Sequence, residues 1–203
     1  MTLTRFRTSG GRLFMAAVLM IIGYCSLMLF EWAWWGILVS GIFAWLIAFN
    51  PSGKAAFSRP EHVWLIPLGV ILYFGVSMIV GAWANAVGLK WAGSPAAAQP
   101  LFPMLAQLPF MLMGEELLGI GVLEGARARG WSWLPSTLLS GLIFGMLHFL
   151  DYWDGSVAST MLHVLMLQGV ARLILNRIYL HSGQSIWSSW LAHVLIDLLA
   201  FAI

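Results

Sequence analysis

Glu115 and Glu116 stand side by side in the middle of an apolar stretch, and His148, His193 and Asp197 recur in later apolar stretches. A central Asp, Lys or Arg costs about 2.5–3.5 kcal/mol on a membrane-insertion scale, so ionisable groups in such places are functional candidates. Adjacent residues on a helix diverge by about 100°, so the two glutamates cannot point the same way. One can face a reaction site while the other anchors a neighbouring helix or a backbone group. Two close carboxylates in a poorly hydrated place raise each other's proton affinity, which suits acid–base chemistry, water activation or a proton pathway. His193 and Asp197 are four apart and share a helical face, where a carboxylate can fix an imidazole's tautomer and support its charged form. Phe144 and His148 have the same spacing. His163 and Arg172 read as structural polar groups between helices, with His163 at most in support of the site.

The elements that must position these residues are set by composition. The chain has 203 residues, of which 61% are hydrophobic and 9% charged, and a mean hydropathy of +0.88. A soluble domain carries about 25% charged residues, and at this length roughly 30% of the unfolded surface stays exposed after folding. A soluble globular domain and a disordered tail are therefore excluded. A net charge of +2 with scattered basic residues also excludes a nucleic-acid binder. The fold class is an all-α, polytopic membrane helical bundle. Cys25 is alone, so there is no disulfide framework or CxxC pair. Arg5, Arg7 and Arg12 precede an apolar run as in a signal peptide, but no small-x-small cleavage pattern comes after it. Tyr24 disfavours a lipoprotein site at Cys25, and the segment reads as a retained first helix.

A spanning helix needs about 20 apolar residues. Dividing the stretch 13–49 near Glu31, and cutting at the turn signals Asn50-Pro51-Ser52-Gly53-Lys54, Gly93-Ser94-Pro95, Glu124 to Gly130, Asp151-Tyr152-Trp153-Asp154-Gly155 and His181-Ser182-Gly183, predicts seven spans. They lie at about 13–30, 33–49, 63–88, 101–123, 132–150, 157–179 and 184–203. The competing division makes the first pair one long tilted helix. With seven spans, Arg5, Arg7, Arg12, Lys54, Arg59, Arg127, Arg129 and Arg177 share one side and Lys90 stands alone on the other. The bias toward basic residues inside predicts a cytoplasmic N-terminus and an extracytoplasmic C-terminus. Trp131 and Trp133 fit as interfacial anchors. Residues 1–203 read as a single integral membrane domain, with N-terminal spans over 13–99 and the ionisable residues gathered in 100–203. Any chemistry must be done within or at the rim of the bilayer, and the depths of the candidates open the site toward the extracytoplasmic half.

Glu115-Glu116 on one span, Phe144 to His148 on the next and His193 to Asp197 on the last resemble, in order, the three motifs of the CPBP family. That family comprises CAAX prenyl proteases and bacteriocin-processing or Abi-type membrane proteins, and its pattern is EExxxR, FxxxH and HxxxN or HxxxD. The resemblance covers about residues 100–203. It departs at Ile120, where the family has Arg, which points to a divergent branch. The resemblance implies a glutamate-type intramembrane endopeptidase of a prokaryotic cell membrane, acting on a membrane-anchored protein or peptide. By carry-over, Glu115 activates the attacking water, and His148 holds that water or shuttles its proton. His193 with Asp197 forms the oxyanion pocket, and Glu116 supports the site. Asp197 stands where Asn is common, so it is expected to orient His193 or to be protonated. Gly119, Gly121, Gly141 and Gly145 are expected to permit close helix approach or leave room for a peptide.

Two histidines and a carboxylate are also a common zinc set. Without an HExxH helix, the spacing with the clearest metal mechanism, metal-independent chemistry with no cofactor is the expectation and zinc the competitor. Two other readings use the same residues. One is a non-catalytic immunity or scaffold protein of the same fold; the other is a proton-coupled transporter, although the two halves show no internal repeat. The bilayer is the one partner that composition demands; no nucleic-acid partner is expected, and the sequence leaves the oligomeric state open.

Overall fold

The computed structural model describes residues 5–89, 91 and 101–201. Among them every regular element is helical. Helix α1 (Gly10–Leu29) starts at Ser9, whose side chain accepts a hydrogen bond from Arg12 N. It ends at Phe30, whose extended backbone leads into a single 3-10 turn, Glu31–Ala33. Helix α2 (Gly36–Phe49) then packs back along α1. The break predicted near Glu31 is therefore present, and the single tilted helix is not. Helix α3 (Leu65–Ala86) comes after a 3-10 segment, Ser52–Phe57. The connector predicted between 90 and 100, with Ser94, lies outside the described residues apart from Trp91.

Helix α4 (Leu101–Ala128) is longer than its predicted span, because the expected polar turn at 124–130 is mostly helix. Glu124 and Arg127 lie one turn apart, both buried, and form an ion pair, so their polarity is consumed without ending the helix. The stop comes at Gly130, where φ is +93° and Trp131 N donates to Ala126 O. That is a glycine-terminated helix end, needing the left-handed conformation that glycine adopts without strain. Helix α5 is Trp133–Leu147. The sixth predicted span is helix α6 (Val157–Val164), a π-helical turn (Leu165–Gly169) and helix α7 (Val170–His181) in one continuous run. Helix α8 is Ile186–Ala200.

Four segments are long and apolar enough to cross a membrane: Gly10–Leu29, Leu65–Ala86, Phe102–Ala128 and Val157–His181. Helices α2, α5 and α8 have 14, 15 and 15 residues, about 21–23 Å of helix against a hydrocarbon core of about 30 Å. The described residues thus hold four helices of crossing length and three shorter apolar ones, rather than seven of full length.

Helix α4 is central and packs on α2, α5, α7 and α8. One apolar core, including Trp45, Phe49, Ile120, Leu123 and Tyr179, joins α2, α4 and α7. A second, including Val70, Ile174, Ile178 and Ile196, joins α3, α7 and α8. At one end of the bundle Arg12 donates to Asn50 O at 3.1 Å, Arg7 N to Ser52 Oγ at 3.1 Å, and Glu61 N to Ser182 O at 3.1 Å. The N-terminal segment, the loop after α2 and the α7–α8 turn are thereby tied together, three of the segments that the charge pattern assigns to one side.

Candidate active site

The two adjacent glutamates of α4 have opposite surroundings. Glu116 is fully buried and meets the guanidinium of Arg172 on α7 in a forked pair, Nη1 to Oε1 at 2.7 Å and Nη2 to Oε2 at 3.1 Å. A buried ion pair is tolerable when further hydrogen bonds and contacts support its members, and each of the two has such support here. Arg172 Nε donates to Asn176 Oδ1 at 3.0 Å, and the guanidinium carbon lies 5.6 Å from the centre of the Phe144 ring. Glu116 Oε1 also lies 3.0 Å from His193 Nδ1 on α8. Glu115, half-buried, turns the other way into a cavity, with Oε2 3.8 Å from His193 Nε2.

This cavity has a volume of about 650 Å³ and is lined by Glu115, His148, Asp151, Tyr152, His193 and Asp197 among others. It brings together four of the five predicted site residues; Glu116 stands behind its wall. The Nδ1 atom of His148 lies 2.8 Å from Phe144 O. A carbonyl only accepts, so Nδ1 carries the proton and Nε2 of the neutral ring is the lone-pair nitrogen. The same reasoning places a proton on Nδ1 of His193, facing the carboxylate of Glu116. The bond that orients His193 is therefore made by Glu116, not by Asp197 as the four-residue spacing suggests. Asp197 lies one turn further along α8, half-buried, on the cavity. Among the described residues no group of three or more His, Cys, Asp or Glu side chains is placed to hold a metal ion.

The geometry depends on close helix approach. A Cβ on Gly145 would fall 2.9 Å from Val164 O, and one on Gly141 2.8 Å from Leu173 Cδ2, so α5 lies hard against the π-helical turn and α7. A Cβ on Gly119 would fall 2.7 Å from Arg172 Nη1, so that glycine makes the room in which the guanidinium lies. Gly121 faces open space in a second, apolar cavity of about 710 Å³, bordered by α1, α2, α4 and α5. Both cavities share Tyr24, Leu118 and Leu147. The hydroxyl of Tyr24 donates to Leu147 O at this shared wall.

Several participants escape a reading of the sequence. Arg172, there a structural polar group, carries the cation that meets Glu116, while Ile120 is fully buried in the apolar core. Arg172 and Asn176 repeat the four-residue polar spacing of His193 and Asp197, which is the available signal. Tyr152 extends the series Phe144, His148 by another four residues, its ring 6.4 Å from that of His148. The π-helical turn presents Gln168, whose Nε2 donates to Tyr152 Oη at 3.0 Å. The ring of His163 packs edge-on against Tyr152 at 4.7 Å, and Trp91 stacks on its other side at 4.7 Å. His163 thus lines the cavity beside Tyr152.

Neither a search of curated proteins nor one of solved structures returns a match. A comparison with family profiles matches residues 97–199 to the family described as type II CAAX prenyl endopeptidase Rce1-like. The match begins just before α4 and runs through α8, so it contains Glu115, Glu116, His148, Arg172, His193 and Asp197. It covers just over half of the chain. The chain is an integral membrane protein of the Rce1-like, type II CAAX prenyl endopeptidase family.

Proposed function

We propose that this chain is an intramembrane endopeptidase that cleaves a membrane-anchored protein or peptide with water activated by Glu115. The observation that carries the reading is the division of labour between adjacent glutamates. Glu116 is consumed by Arg172 and His193, while Glu115 faces the cavity 3.8 Å from His193 Nε2. In the proposed reaction Glu115 takes a proton as a cavity water attacks the scissile carbonyl. His148, through Nε2, accepts a hydrogen bond from that water, then receives the proton from Glu115 and passes it to the leaving amine as the C–N bond breaks. The tetrahedral oxyanion needs donors aimed at it. For His193 to be one, Nε2 must carry a proton in addition to Nδ1 in the reacting form, an imidazolium that faces Glu116 across Nδ1 and Glu115 across Nε2. Asp197, in its protonated form, supplies a second donor. The chemistry proposed is metal-independent.

The apolar cavity beside the site supports a substrate that carries a hydrocarbon chain, in keeping with the word prenyl in the family description. The wall shared at Tyr24, Leu118 and Leu147 would bring such a chain alongside the peptide. The catalytic cavity is lined by Asp151 and Phe201, away from the end tied together by Arg7 and Arg12. With the N-terminus cytoplasmic, as proposed from the charge pattern, cleavage would fall near the extracytoplasmic face.

The test compares membrane-protein termini and released peptides in cells expressing the wild type or Glu115→Gln at matched levels. A product found only with the wild type supports the reading and identifies the substrate. Reconstitution with lipidated and unlipidated forms of that peptide then reports on the apolar cavity. Identical profiles with both proteins folded overturn the reading in favour of a non-catalytic scaffold.

A further inference from the structure

We infer that Arg172 is a positioning residue for His193, acting through Glu116 to hold the imidazole with Nδ1 protonated and Nε2 turned toward Glu115 and the cavity. For catalysis the inference rests on the function proposed above; for the geometry it stands on the contacts alone. Glu116 can orient His193 only if its carboxylate is ionised and fixed. Full burial opposes the first, and the rotamers of a glutamate oppose the second. Arg172 supplies both conditions. Its charge offsets that of Glu116 at zero solvent exposure, and its fork occupies both carboxylate oxygens, at 2.7 and 3.1 Å. Planar forked pairing is what distinguishes arginine from a point charge at such a site.

The guanidinium is itself over-determined. Asn176 takes its Nε proton at 3.0 Å, Phe144 lies beneath it at 5.6 Å, and the bare Cα of Gly119 leaves its space open. Phe144 is the same residue whose carbonyl takes the Nδ1 proton of His148, and its ring lies 5.9 Å from that of His193. One cation on α7 thereby braces groups on α4, α5 and α8 at once. The π-helical turn at Leu165–Gly169 precedes Arg172 by three residues. Such turns add a residue to the helix and re-aim the side chains beyond them, which makes α7 the element that sets the register of the cation.

Nothing in this arrangement requires the cation to come from α7. Position 120 lies one turn beyond Glu116 on the same face of α4, and Ile120 is buried there. An arginine at that position can reach Glu116 from its own helix, which gives the inference a rescue test.

The experiment is nitrogen-15 histidine NMR on the full chain in detergent micelles, with His193 assigned from its loss in His193→Gln. Wild type, Arg172→Gln and the double variant Ile120→Arg/Arg172→Gln are compared. The wild type is expected to show a slowly exchanging Nδ1 proton on His193. In Arg172→Gln that signal is lost or averaged between tautomers, and in the double variant it returns. A folded Arg172→Gln with a native His193 signal overturns the inference, as does a folded double variant without one. If Arg172→Gln does not fold, the double variant decides alone: recovery of fold and signal together supports the inference, and failure of either overturns it. In turnover, Arg172→Gln is expected to lower kcat by about tenfold to a hundredfold, the penalty of a misplaced group, with little change in KM. A wild type that cleaves nothing while the NMR pattern holds would sink the protease reading and leave the positioning role intact.

Discussion

The Nδ1 atom of His193 stands 3.0 Å from Oε1 of Glu116, a carboxylate contributed by a different helix and already paired with Arg172. The neighbouring Glu115 has no such engagement with Arg172 and reaches toward the opposite ring nitrogen, 3.8 Å away. Two residues of one type, adjacent in the chain, therefore answer to different physics. One is held by electrostatics inside the protein, and the other is presented to a cavity.

Conservative amide substitutions should separate the two. Glu116→Gln leaves Arg172 buried without its counter-charge, which costs about 3–5 kcal/mol when one partner of a buried pair is removed. Glu115→Gln changes a half-buried cavity residue and should cost under about 1 kcal/mol, while abolishing turnover under the proposed function. Denaturation in detergent beside product formation reads both. Equal destabilisation by the two variants would contradict the assignment.

His148 gives a prediction of a different kind. Its Nδ1 is spent on Phe144 O, so its contribution to chemistry must come from Nε2. His148→Gln should lower kcat by about 10²–10⁴, the range for loss of a positioned acid–base group. The fold should survive, because the Phe144–Arg172 contact does not pass through the imidazole. Unchanged turnover with intact His193 geometry would remove His148 from the reaction.

How far the sequence reaches can be judged from Ile120 and Arg172. Hydropathy places every helix within a few residues, because burial in lipid imposes a uniform apolar rule on each span. Charge cannot show that Glu124 and Arg127 neutralise each other one turn apart, so most of the predicted turn at 124–130 proves to be helix, which runs to Ala128. The four-residue spacing puts His193 and Asp197 on one face of α8 whatever the tertiary structure, and on that face both line the cavity that Glu115 and His148 also line. What spacing cannot convey is a contact between helices distant in sequence. Glu116 meets Arg172 across 56 positions, and an arginine missing from one helix gives no hint that another helix supplies the cation. The tautomer of His193 is a second case: the local pairing with Asp197 is legible, and the pairing with Glu116 that the structure contains is not.

Gly145 tests the packing that sets the register of α7. A Cβ there would lie 2.9 Å from the backbone oxygen of Val164, at the entrance to the π-helical turn, and a backbone atom cannot swing aside as a side-chain end can. Gly145→Ala should cost about 1–3 kcal/mol, the usual range for overpacking a tight core. It should also displace Gln168 from Tyr152. A fall in the melting midpoint together with altered tyrosine fluorescence would show both effects, provided Tyr152 is identified by Tyr152→Phe. A variant as stable as the wild type would mean that α5 and α6 have room to separate.

Asp154 carries a prediction about pH in the loop between α5 and α6, outside the spanning helices. Its carboxylate accepts from Ser159 Oγ at 2.6 Å, from Ser156 N at 3.0 Å and from Thr160 Oγ1 at 2.9 Å. The Ser159 hydrogen bond, first among these, holds the Asp154 carboxyl below its ordinary range. Hydrogen bonds to the ionised form have that sign. A carboxyl whose folded pKa is depressed contributes stability that is present above its unfolded pKa, about 3.9. That contribution is lost as pH falls through the folded value. Asp154→Ala should therefore lower the melting midpoint at neutral pH, and the gap to the wild type should close below about pH 4. Midpoints measured in detergent at a series of pH values from neutral to about 3 would read the gap directly. A gap that stays constant into acid would show that the carboxylate's charge has no part in clamping the start of α6, and that the loop bearing Tyr152 is held by neutral contacts alone.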